Sequence, residues 1–146
     1  MSIKNTLHKI SHLKWGFLIA AIILIVYSFI ILPENLISII GTIIFLVGIH
    51  LGLDSMRDIE KMSEKEKNNY LNSKIVKRLS IIILSCISVL VIISLLFLSL
   101  KFVFPSKNTS LFTDFFNLGL DCWAFILGLL CLLKSTYDRQ NFVNNL

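Results

Sequence analysis

Residues 80–100, SIIILSCISVLVIISLLFLSL, continue for about six turns of helix without one charged side chain, longer than the interior of a small soluble domain accommodates. Three further apolar stretches occur, so that the runs cover residues 16–32, 36–53, 79–104 and 112–133, and Lys101 is the sole Lys or Arg within them. A helix crosses a bilayer in roughly 17 to 25 predominantly apolar residues, and each run meets that length. At 55% apolar residues and a mean hydropathy of +0.81, the chain exceeds the roughly 45 to 50% apolar content of a soluble domain. The excess must dissolve in something other than a core.

Inside hydrocarbon every backbone amide and carbonyl needs an internal partner, which leaves helices or a closed barrel. Stretches such as LIAAIILIVYSFIIL lack the in-out alternation of a barrel strand and exceed its length. The expected fold is therefore an all-α integral membrane protein: four transmembrane helices, as two tandem helical hairpins, forming a single four-helix bundle over residues 1–146. A cleavable leader is the competing account of the basic N-terminus, but the first run is long for a signal core and is followed by Pro33 and Glu34 rather than by a small-residue cleavage site. Cys86, Cys122 and Cys131 all fall in apolar runs without CxxC spacing, which suggests neither a disulfide framework nor a zinc site.

Charge outside the runs sets an expected orientation. Twelve Lys and Arg lie in the N-terminal tail, the central loop 54–78 and the C-terminal tail; two, Lys101 and Lys107, lie on the other side. That bias predicts cytoplasmic termini and a cytoplasmic loop, with Trp15 as an interfacial anchor. The Ile-, Lys- and Asn-rich usage points to a bacterial cytoplasmic membrane. Topology also accounts for the positive charge, so no nucleic-acid partner is expected.

Within the loop, Asp54 with Arg57, Arg57 with Glu60, Asp58 with Lys61 and Lys61 with Glu64 are opposite charges three apart, which predicts that the second helix continues at least to Met62. Ser63 followed by Glu66 predicts a capping box opening a second short helix, with a break around Asn68, Asn69, Asn72 and Ser73. Mixed charge ordinarily marks a solvated face; the functional alternative is a docking surface around Asp58, Glu60 and Lys61. Interleaved signs argue against lipid binding by the loop, for which uninterrupted basic clusters are usual.

A shift of 80 residues aligns Phe45, Gly48, Leu53, Ser55 and Asp58 with Phe125, Gly128, Leu133, Ser135 and Asp138. If this is a true repeat, the hairpins are related by a pseudo-two-fold axis along the membrane normal. Gly41, Gly48, Gly52, Gly119 and Gly128 supply small surfaces at which helices can approach, Gly48 and Gly52 forming a GxxxG.

Asp121 is the least expected residue for lipid. Counted back from Leu133 it lies about 18 Å from the cytoplasmic end of its run, near the bilayer middle. A carboxylate there costs roughly 2.5 to 3.5 kcal/mol on insertion scales, and intramembrane acids are functional candidates for that reason. Depth arithmetic brings Ser28, Thr42, Ser88, Ser94 and Tyr27 to a similar level, which makes a polar layer with Asp121 the candidate site. One reading is a clasp between helices in which a neutral Asp121 donates a hydrogen bond; the other is a proton or ion relay, which usually uses more than one ionisable group.

His8 and His12 share a helical face with no further ligand motif, so no metal or other cofactor is expected. Asn108, Thr109 and Ser110 form a glycosylation acceptor, relevant only in a eukaryotic secretory route. Neither a nucleophile elbow nor a phosphate loop occurs, and the polar segments are short for a catalytic domain; an enzyme is not expected. The leading expectation is a binding, accessory or modulatory component that acts on another membrane protein. The alternative is a small oligomeric transporter or channel that uses Asp121. Expected partners are the bilayer and either another membrane protein or further copies of the chain.

Overall fold

The computed structural model describes residues 13–31, 33–57, 59–103 and 110–146, with backbone alone at 101 and 102. Among the described residues five α-helices follow in chain order: α1 Lys14–Ile31, α2 Leu36–Ser55, α3 Glu64–Leu71, α4 Ser73–Val103 and α5 Ser110–Asn144; a 3-10 turn, Ile59–Lys61, precedes α3. No strand occurs among the described residues. The fold is all-α, and α1, α2, α4 and α5 are long and apolar enough to cross a membrane.

Two of these helices outrun the apolar runs. α4 begins at Ser73, six residues before the expected start at 79, and α5 continues to Asn144 rather than ending near 133. At 1.5 Å per residue, α5 is about 52 Å long against about 30 Å of hydrocarbon, so it projects well past one end of the spans. α2 departs in the opposite sense, ending at Ser55 instead of reaching Met62. Its last bonds tighten to the i→i+3 pattern, with Met56 N donating to the Leu53 carbonyl and Arg57 N to the Asp54 carbonyl, both at 3.2 Å. The charges expected to prolong it are engaged elsewhere: Asp54 pairs with Lys14, Arg57 with Glu66 at 2.9 Å, and Glu64 with Lys67 at 2.8 Å. Tertiary pairing overrides the weak local preference.

α3 opens with the expected capping box. Ser63 N donates to Glu66 Oε2 at 2.8 Å, and Glu66 N donates to Ser63 Oγ at 3.3 Å. The break falls at Asn72 alone, whose ψ of 93° leaves the helical region; Asn68 and Asn69 remain inside α3.

The spans pack in the spatial order α1, α2, α5, α4, with α2 against α5 as the most extensive contact. Residue pairings give the directions. α1 is antiparallel to α2, since Lys14 meets Asp54 while Ile25, Ser28 and Phe29 border a groove with Leu36, Ile40 and Ile43. α4 is antiparallel to α5: Ser94 reaches Gly119, and the Phe97 and Phe115 rings stand 5.2 Å apart. α2 and α5 are parallel, because Gly41 lies at Leu118 and Asp121, Gly48 at Ala124 and Phe125, and the Asp54 carbonyl at Arg139.

That parallel pair closes on glycine. A Cβ added to Gly128 would collide with the backbone of Gly48, and one added to Gly48 would lie 2.7 Å from backbone atoms of Ala124 and Phe125. Gly48 and Gly128 are counterparts under the 80-residue shift, and so are Gly41 and Asp121. Corresponding positions thus meet one another, as a two-fold axis running between parallel helices requires. The facing stripes read Gly41, Gly48, Ser55 and Asp121, Gly128, Ser135, seven residues apart, the period that keeps one seam aligned between supercoiled helices. Gly52, the other half of the GxxxG, faces open space.

Candidate functional site

Asp121 sits in this seam. Its Oδ2 occupies the space that a Cβ on Gly41 would fill, with Leu118 alongside, so the absent side chain of Gly41 is what admits the carboxyl. Asp121 is half-buried and has no hydrogen-bond partner among the described residues. The polar layer does not assemble around it. Ser28, Thr42 and Ser88 donate to carbonyls four residues back in their own helices, those of Leu24, Ser38 and Leu84, at 2.8, 3.0 and 3.0 Å. This back-bonding commits each hydroxyl's proton within its own helix, and none of these oxygens accepts from Asp121 among the described residues. Tyr27 is exposed on the flank of α1.

Ser94 alone among these residues crosses between helices. Fully buried, it donates to the Gly119 carbonyl at 2.8 Å and joins α4 to α5 on the side of α5 turned away from α2. Depth arithmetic carries no azimuth, and the azimuth separates the six residues.

A second polar assembly lies at the end of the spans that carries the loop and the C-terminus. Arg139, 7% exposed, donates from Nη1 to the Tyr70 hydroxyl and from Nη2 to the Asp54 carbonyl, each at 3.3 Å, with its guanidinium 5.9 Å from the Tyr70 ring centre. The Asp54 carboxylate pairs with Lys14, and His50 Nδ1 donates to the Lys14 carbonyl at 2.9 Å. Trp15 stands edge-on to His50, with 6.2 Å between ring centres. Asp54 consequently ties α2 to α1 through its side chain and to α5 through its backbone, while Arg139, on α5, also holds α3 through Tyr70. Ser80 Oγ, Ser135 Oγ and Arg139 Nε are buried without a partner among the described residues.

Arg57 and Glu66 fasten the rest of the loop to α3. The Glu66 carboxyl is held below its ordinary value of 4.5, chiefly by the Ser63 backbone N–H, against partial desolvation and with further help from the Ser63 hydroxyl and Arg57. Of the expected docking residues, Glu60 and Lys61 lie exposed on the 3-10 turn; Asp58 lies outside the described residues, as do His8, His12, Asn108 and Thr109. No cluster of three or more His, Cys, Asp or Glu suited to a metal occurs among the described residues.

Arg139, Tyr70, Asp54 and Lys14 were not legible as a group. The signal available was the Ser55/Ser135 and Asp58/Asp138 correspondence, which marks this same end of α2 and α5. Comparison with protein-family models, with curated proteins and with solved structures returns no match to this chain.

Proposed function

We propose that the chain is a membrane-embedded binding component, inserted in a bacterial cytoplasmic membrane with both termini and the loop in the cytoplasm, that acts on another membrane protein. The observation that carries this reading is the built character of the loop. It is folded into a capped helix and latched to α5 by the Arg139 guanidinium, with the exposed turn bearing Glu60 and Lys61 held on that frame. An ordered, mixed-charge surface beside the membrane suits recognition, since fixed charges of both signs select a complementary partner and cost little further ordering on binding. Among the described residues none of the hydroxyls expected to form a polar path bonds to Asp121, which supports binding ahead of transport.

Crosslinking in native membranes at native expression, followed by purification through a C-terminal tag, tests the reading. A stoichiometric second protein is expected, with recovery reduced several-fold by Asp58→Asn, Glu60→Gln and Lys61→Gln together. Recovery of the chain alone, as a defined oligomer, would return the transporter reading to first place.

A further inference from the structure

An acid in the middle of a membrane span is stabilised by a hydrogen-bond partner or a cation, and among the described residues neither reaches Asp121. The hydroxyls at its depth are committed to their own helices or, for Ser94, to the Gly119 carbonyl. The described cationic side chains lie toward the loop end, and the nearest of them along α5, Lys134, follows Asp121 by 13 residues, about 20 Å of helix. Lys101 is the only cation in the apolar runs and belongs to the opposite end of α4, beyond Phe97. The carboxyl is nevertheless held in a built position, over Gly41 in the α2/α5 seam, and is not closed over.

We propose that Asp121 is the anchor for a transmembrane helix of a second protein that carries a Lys or Arg side chain at the same depth. Charge complementarity selects this occupant. Ionisable groups inside membranes characteristically pair with one another, and the gain from pairing is large where the alternative is an unpaired acid in hydrocarbon. A second copy of this chain would bring another Asp121 and, among the described residues, no cation to that level, so self-association of these residues leaves the deficit unmet. The parallel seam is also suited to an anchor, because the backbone approach at Gly48 and Gly128 fixes the two helices and Gly41 leaves the carboxyl room one heptad away. This anchor rests on the binding role proposed above and adds the chemistry of the contact within the membrane.

The test uses the full chain reconstituted in phosphatidylcholine vesicles, labelled with an energy-transfer acceptor, and a synthetic Leu/Ala transmembrane peptide of about 24 residues carrying the donor. One peptide has a single central Lys; the other has Leu there. Association with the Lys peptide is expected to be about tenfold tighter, with the preference abolished in Asp121→Leu and reduced in the isosteric Asp121→Asn. Circular dichroism and the thermal midpoint confirm that each variant is folded, and Asp121→Asn serves if Asp121→Leu is not. Equal association of the two peptides would overturn the proposal, as would a preference that is undiminished in Asp121→Asn or Asp121→Leu, or transfer between copies of the chain that outcompetes the peptide. Failure here with a second protein still captured from native membranes would refute the anchor alone; absence of any captured protein refutes the underlying role.

Discussion

Gly128 and Gly52 are both helical glycines in apolar sequence, and their surroundings separate them. Extra atoms at Gly128 meet the backbone of Gly48, which cannot rotate away, whereas Gly52 has nothing within 4 Å of an added Cβ. Gly128→Ala should therefore cost about 1 to 3 kcal/mol by overpacking, read as a lowered thermal midpoint in micelles. Gly52→Ala should leave that midpoint unchanged or raise it, since Ala is the better helix former by up to about 1 kcal/mol. Equal effects at the two positions would contradict the Gly48–Gly128 contact. Glu66 makes a prediction in pH. Its folded-state value is depressed, so the stability it lends the cap is present above its ordinary value of 4.5 and is lost as pH falls below that through the folded value. Amide protection of α3 should decline over that acidic range in the wild type and show a flatter profile in Glu66→Gln; identical profiles would deny the carboxylate this part.

At the scale of elements, the end of α5 past the apolar run holds the loop. Ser135, Thr136, Arg139 and Val143 are buried there, in a segment that composition alone marks as a polar tail. Arg139→Leu should release α3 and raise amide exchange across Glu64–Leu71 about tenfold, since a hydrogen bond to a charged group contributes roughly 1.5 to 3 kcal/mol. Exchange in α2 should change little. Uniform loosening of all the helices would mean that Arg139 supports the whole packing rather than the loop. α2 shows the opposite outcome. Its expected extension failed because pairs three apart within the helix were outcompeted by Lys14 and Glu66, partners 40 and 9 residues distant in sequence. Pattern along one helix gives the local alternatives, and the neighbours decide among them.

At the scale of the whole molecule, the described spans are apolar outward. Ile23 is 61% exposed and Phe29 80% on α1, and Ile82, Ile92 and Leu96 are 59 to 60% exposed on α4, so the flanking helices bury little against the rest and present their bulk to the surroundings. This surface, with the four spans and the capping box, was legible because hydrophobic length and local spacing are properties of contiguous sequence. The parallel α2/α5 seam was half-legible, in the 80-residue correspondence of Gly48 with Gly128. The polar layer was not, because residues at one depth can face four directions, and the Arg139 assembly was not, because it joins four elements remote in the chain. The seam is the claim on which the rest depends: it puts Asp121 over Gly41 and brings the ends of α2 and α5 together beneath the loop. Electron–electron distance measurement on spin-label pairs tests it directly. Met56 paired with Tyr137 should be separated by less than about 25 Å, and Met56 paired with Leu111 by about 40 Å, for parallel helices at 1.5 Å per residue. A short Met56 to Leu111 distance and a long Met56 to Tyr137 distance would make α2 and α5 antiparallel and contradict the account.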